Sequence, residues 1–301
     1  MTNIIITGGT GFLGKHLVIE LEQNEYNPIA LNSNDYDLTN PIQTQAMYQD
    51  LQPDYVFHLA ATVGGIGANR NHPGLFFYDN MAMGLNVIHQ AHLHSIKKII
   101  VVGTTCSYPR MAPVPFSEHS LWDGYPEGTN APYGIAKRAL LTMLKAYQDE
   151  YNLRYAYLIP TNIYGPNDNF DDSTSHVIPA LIKKCLSGRD EIEIWGTGRP
   201  SRDFVYVTDV AKALVMAMEN YDRPEPLNVG SSNEVTIDIV LYFIRQMTGF
   251  CGTINYNHSK PDGQPRRALN TRAIKQAFAW QPEVNLNEGL SRTIEWYKEN
   301  M

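Results

Sequence analysis

The chain has 301 residues, 43% of them hydrophobic and 18% charged, with a net charge of −7. That length is enough for two domains or one large α/β domain, and the composition excludes a disordered or low-complexity chain. No basic tract favours nucleic acid, and no run approaches the ~20 apolar residues of a membrane span.

Ile4-Ile5-Ile6 reads as a buried strand and Gly14 to Glu22 as a helix. Further strands are expected at Pro28 to Leu31, Tyr55 to Leu59, Lys98 to Val102 and Tyr155 to Ile159, with helices at Met81 to His94 and Lys137 to Glu150. This alternation predicts βαβ units, hence a Rossmann-type doubly wound parallel sheet. After Tyr164-Gly165-Pro166 the chain turns polar and Pro-rich, with helical stretches at Val177 to Ser187 and Val235 to Met247. The expected division is a dinucleotide-binding domain over residues 1–165 and a smaller mixed α/β substrate lobe over 166–301, with some chain crossing between them. Three scattered cysteines, Cys106, Cys185 and Cys251, form no CxxC zinc pattern. They fit a reducing compartment, so a cytoplasmic protein without a metal centre is expected.

The first strand runs into Gly8-Gly9-Thr10-Gly11-Phe12-Leu13-Gly14, which opens the first helix. Gly8 suits the tight turn, Gly11 lets the backbone approach a pyrophosphate, and Gly14 lets the helix pack closely. The helix N-terminus offers free N–H groups to the anion. At the end of the second strand, Asn32 to Asp35 give neither a clear acidic nor a clear basic ribose signal, and Asp37-Leu38 are candidates for the adenine side. Tyr133 and Lys137 stand four residues apart, on one helical face. An ammonium beside a phenol makes the phenolate accessible for acid–base work. Upstream, the fourth strand ends in Gly103-Thr104-Thr105-Cys106-Ser107, at the strand end where open α/β sheets bind ligands.

Together these motifs resemble the extended short-chain dehydrogenases/reductases of the NAD-dependent epimerase/dehydratase family. The Val63–Asn69, Pro160–Phe170, Ser175–Leu181 and Lys260–Arg266 segments are similar to the branch acting on GDP-4-keto-6-deoxymannose. The resemblance implies C3 and C5 epimerisation followed by hydride reduction at C4. Cys106 would be the base, His176 the opposing acid, Thr104 and Tyr133 the hydroxyls at the C4 oxygen, and Lys137 the partner of Tyr133. It adds Leu59, Ala60, Ala61, Pro160, Asn162, Ile163 and His176 to the cofactor contacts already named at Gly8, Thr10 to Gly14, Asp37, Leu38, Tyr133 and Lys137. It implies Asn162, Lys184, Trp195, Arg202, Lys260 and Asp262 as contacts of a GDP-sugar. NADP(H) is the favoured cofactor, with NAD(H) open, and a homodimer is expected. Three positions depart from the pattern: Thr104 replaces a serine, Lys184 replaces an arginine, and Asn32 and Asn34 stand where NADP-preferring members carry arginine. Other nucleotide-sugar reductases, 4-dehydrogenases or epimerases, and a non-catalytic dinucleotide-binding regulator, are the alternatives.

Overall fold

The computed structural model describes residues 2–64, 66–172, 174–260 and 262–301. Gly65 and Pro261, which belong to two of the family-like segments, lie outside the described residues. The first half runs β1 (Ile4–Thr7), α1 (Phe12–Gln23), β2 (Pro28–Leu31), α2 (Pro41–Leu51), β3 (Tyr55–His58), α3 (Ile66–Asn71), α4 (Pro73–Leu93), β4 (Lys98–Val102), α5 (Ala131–Tyr151), β5 (Tyr155–Pro160) and β6 (Asn162–Tyr164). The second half runs α6 (Val177–Cys185), β7 (Glu191–Trp195), β8 (Ser201–Tyr206), α7 (Val207–Asn220), β9 (Leu227–Val229), β10 (Glu234–Thr236), α8 (Ile237–Thr248), β11 (Thr253–Asn257), β12 (Arg266–Arg267), α9 (Arg272–Phe278) and α10 (Leu286–Asn300). Each expected element is present, and α4 and α5 begin several residues before their apolar periodicity, each with a proline in its first turn.

Six parallel strands form the main sheet in the order β2-β1-β3-β4-β5-β9. β1 shows why such strands are apolar throughout. Ile4 and Ile6 pack into the core formed with α1 and α7, while Ile5 enters the opposite core with α2, α4 and α5. A strand covered on both faces has no polar side. The last strand, β9, comes from the second half of the chain, as does α7 on the α1 face. A third core lies among α6, α8, α10 and the inner faces of β7 and β8. Among the described residues no helix is long and apolar enough to cross a membrane.

The sheet order puts a topological switch between β1 and β3. Chain leaving β1 goes to one neighbour, and chain leaving β2 returns to the other side. The crevice at the carboxyl ends of these strands is the natural ligand position in such a sheet.

Candidate active site

The glycine loop fills that crevice. Gly8 has φ +71°, the left-handed region where a Cβ is strained, and a Cβ there would lie 2.9 Å from the Ala60 amide nitrogen. The loop after β3, with Leu59, Ala60 and Ala61, therefore sits directly against the loop after β1. Leu59 N–H donates to Thr7 O at 3.1 Å. A Cβ on Gly14 would stand 2.4 Å from Gly8 O, so α1 packs on its own entry turn more closely than any side chain permits. Gly9, which the motif reading passed over, is as constrained: its Cβ would meet Ala30 Cα of β2 at 2.7 Å. Gly11 caps α1 without any side-chain hydrogen bond, leaving the first amides available to an anion. Of the residues expected on the adenine side, Leu38 is buried, and Asp37 is exposed, its Oδ1 accepting from Thr39 N–H at 2.9 Å.

Across the sheet, Gly103 ends β4 under the Tyr157 ring, and Thr104 leaves it in extended conformation. Thr104 Oγ1 accepts from Cys106 N–H at 3.1 Å and so starts a short 3-10 turn over Thr105–Ser107. This turn is locked to α5. Ser107 Oγ donates to Gly134 O at 2.9 Å, and Arg138 donates to Ser107 O and, at 3.0 Å, to Gly124 O. A Cβ on Gly134 would lie 2.2 Å from Cys106 O. Thr104 and Cys106 are thereby brought beside Tyr133.

Tyr133 and Lys137 are both buried. Burial, then the charge of Cys106, raise the Tyr133 pKa, and a hydrogen bond from Thr104 pulls it back. Burial lowers the Lys137 ammonium to about 8. Beneath it lies His58, the last residue of β3, fully buried and held neutral by burial and by the Lys137 charge, its pKa down at about 3. His58 Nδ1 pairs with Thr7 Oγ1 at 2.9 Å.

The remaining candidates come from the second half of the chain. Asn162 Nδ2 donates to Asp203 O at 2.8 Å, which fixes it where β6 joins β8, two residues after Pro160 and beside Ile163. Arg202, on β8, donates to Ser201 O at 2.7 Å and Gln264 O at 2.8 Å. Burial and the neighbouring Arg267 lower its guanidinium to about 10. Arg267, on β12, pairs in register with Arg202 and donates to Cys106 Sγ at 3.7 Å. Gln264 Oε1 holds the rest of its fork at 3.0 and 2.8 Å. Two guanidinium groups thus stand at the cysteine, and the second was not among the candidates. Its signal, a doubled arginine in Pro265-Arg266-Arg267, carries no spacing rule, because β12 reaches Cys106 only through strand pairing.

Trp195 is exposed at the end of β7, with the Lys260 ammonium 5.1 Å from its ring centroid. Asp262 accepts from Thr197 N–H at 2.6 Å and Thr197 Oγ1 at 2.9 Å, and so shapes the loop after Trp195. Lys184 Nζ donates to Glu193 O at 2.7 Å, tying α6 to β7. His176 is the N-cap of α6. Desolvation of its ring lowers its pKa. The geometry groups Thr104, Cys106, Tyr133 and Lys137 with Arg202, and it groups Trp195 with Lys260. It shows no direct contact of His176 with either group.

The sequence profile of the NAD dependent epimerase/dehydratase family matches residues 4–230. A protein named GDP-L-fucose synthase 1 from Arabidopsis thaliana is 36% identical over 303 residues, covering 99% of this chain and 94% of its own. A GDP-6-OMe-4-keto-L-xylo-heptose reductase from C. jejuni superposes with TM-score 0.94 at 27% identity, covering 100% of this chain and 98% of that one. A GDP-L-fucose synthetase from Naegleria fowleri bound to NADP superposes with TM-score 0.91 at 29% identity, covering 99% and 94%. With the glycine loop in the switch crevice, Tyr133 and Lys137 buried on α5 beside the turn that carries Cys106, and a match over most of its length, this chain belongs to the NAD-dependent epimerase/dehydratase family.

Proposed function

We propose that the chain is an NAD(P)-dependent enzyme that converts GDP-4-keto-6-deoxymannose to GDP-L-fucose, by epimerisation at C3 and C5 and reduction at C4. The observation that carries this reading is the grouping of Cys106 with Thr104 and Tyr133 on one side and Arg267 on the other. A plain reductase needs the tyrosine and lysine but has no use for a thiol held against a guanidinium beside them.

The division of labour follows the two halves of the chain. Residues 1–165 would hold the dinucleotide: the amides of Gly8 to Gly14 at the α1 N-terminus would take its pyrophosphate, and Tyr133, Lys137 and Asn162 would hold its nicotinamide end. Residues 166–301 hold the sugar nucleotide, with Arg202 on its diphosphate and Trp195 and Lys260 on the nucleoside side. The bound cofactor supplies the hydride. A ketone at C4 acidifies the protons at C3 and C5, because the carbanion left behind is an enolate. Cys106 removes those protons one at a time, releasing the first to solvent before it takes the second. Thr104 and Tyr133 donate hydrogen bonds to the enolate oxygen, where preorganised donors act most strongly. His176 returns a proton to the opposite face, so that inversion results. In the reduction Tyr133 gives its phenolic proton to the C4 oxygen, and the Lys137 charge stabilises the phenolate it becomes.

We further place the enzyme in the cytoplasm, as a homodimer. What supports the dimer is the outward surface of α4 and α5, where Leu85, Leu93 and Tyr151 lie exposed and His92 stacks on Tyr151. The deciding experiment is incubation with GDP-4-keto-6-deoxymannose and NADPH or NADH, following cofactor absorbance and identifying the product by NMR. Cofactor oxidation with GDP-L-fucose formed is the expected outcome. No oxidation of either cofactor overturns the substrate assignment.

A further inference from the structure

The dinucleotide reading leaves one part of the cofactor unassigned, the 2′ position of the adenosine ribose. In a doubly wound sheet that position is read at the carboxyl end of the second strand. A carboxylate there suits a free 2′-hydroxyl, and an arginine suits a 2′-phosphate. Here β2 ends at Leu31, whose carbonyl accepts from Gly9 N–H at 2.9 Å. The turn that follows, Asn32 to Tyr36, is therefore fixed against the glycine loop.

This turn is closed on itself. Asn32 N–H donates to Asp35 Oδ2 at 2.8 Å, and Asn34 N–H donates to Asn32 Oδ1 at 2.8 Å. The amides of Asp35 and Tyr36 both donate to Asn32 O, at 3.2 and 3.4 Å. Among the described residues of the turn, only the Ser33 amide is left without such a bond. Charge is equally unhelpful to an anion. Between Lys15 and Arg70 the sequence contains neither lysine nor arginine. Lys15 donates to Asn167 Oδ1 at 3.5 Å, and Arg70 lies on α3, which follows β3, the strand on the opposite side of β1 from β2. Thr10, at the exposed tip of the glycine loop, is neutral. Asp35 stands in the turn, and Asp37 follows it.

A phosphate dianion bound here gives up its hydration without gaining a charged donor, and it lies close to a carboxylate. A ribose hydroxyl has no such difficulty, because it can donate to the carboxylate or amide oxygens of the same turn. We propose that this chain reads the dinucleotide without reading a 2′-phosphate, and that it binds NADH at least as tightly as NADPH. This rests on the oxidoreductase reading and goes beyond it by assigning the adenosine end to Asn32, Asn34 and Asp35.

The test is direct titration of the full chain with NADH and with NADPH, followed by nicotinamide fluorescence, with no sugar nucleotide present. The dissociation constant for NADPH should be equal to or weaker than that for NADH. In Asn34→Arg, a cation added at this exposed turn should shift the NADPH-to-NADH preference about tenfold toward NADPH. NADPH bound tenfold or more tighter than NADH by the unsubstituted chain overturns the inference and leaves the oxidoreductase reading intact. An unchanged preference in Asn34→Arg also overturns it, since the 2′ position is then read elsewhere. Failure of both cofactors to bind overturns this inference together with the oxidoreductase reading.

Discussion

The two ends of the site handle anions by opposite means. At the glycine loop, charge comes from backbone: free amides at the start of α1, with the first sixty-nine residues carrying one lysine and no arginine. At Cys106, charge comes from side chains: Arg202 and Arg267 lie side by side on paired strands, with Lys260 beyond them over Trp195. The first arrangement is rigid and sterically exact in its glycines, and it suits a group held the same way in every turnover. The second places cations on β8, β12 and the loop before β12, where they can meet a substrate that arrives and leaves. On the proposed function, the chemistry sits at the seam between them, on a turn locked to α5.

The largest effect should come from the seam itself. Tyr133→Phe removes the proton donor for C4 and is expected to lower the reduction rate by about 10²–10⁴-fold, the usual worth of general acid catalysis, with dinucleotide affinity retained. Stopped-flow reduction and fluorescence titration would separate the two.

Lys137→Met probes what the buried charge costs. Its pKa of about 8, against 10.5 for a free lysine, means the unfolded chain binds more protons between these values. Stability of the natural chain should therefore rise with pH from about 8 to 10.5, while reduction should fade as pH passes about 8, where the folded chain loses the ammonium. At neutral pH the methionine variant should be inactive yet more stable, by at most on the order of 3 kcal/mol, and its stability should lack that rise. Denaturant unfolding at pH 7 and pH 10 checks both signs.

Arg267→Met sharpens the contrast on the substrate side. Loss of its contact with Cys106 should slow exchange of the C3 and C5 protons with deuterated solvent about ten- to a hundredfold, in line with a charge-assisted hydrogen bond. Cofactor binding at the glycine loop should stay unchanged. Equal losses in both would dissolve the division between the two ends.

The smallest effect is expected from Gly134→Ala. Its new methyl group would press on Cys106 O, which is backbone and cannot swing aside. A destabilisation of about 1–3 kcal/mol is the usual cost of such overpacking. Proton exchange at C3 and C5 should suffer more than dinucleotide affinity, because the displaced turn carries Cys106. Thermal unfolding and NMR exchange rates would show the split.

The parallel strands, the glycine loop and the Tyr133–Lys137 pair were legible in the chain because each rests on short-range rules: apolar runs, a strand-to-helix turn, four residues on one helical face. The same rules missed Gly9, since nothing local says that Ala30 of the neighbouring strand will lie against it. They missed His58 beneath Lys137 and the Arg138 clamp on Ser107 for the same reason.

What the sequence determined by itself is the set of elements, their kind and the presence of a glycine-rich strand-to-helix loop, because propensity and periodicity act over a few residues. Tertiary structure alone decided which side chains meet. Strand pairing sets Arg202 beside Arg267 and delivers the latter to a cysteine 161 residues away. The sheet order opens the crevice between β1 and β3. The turn after β2 folds its own carboxylate and amide oxygens onto its N–H groups. Contacts between residues far apart in the chain depend on register and packing, and no pattern within a short window contains them.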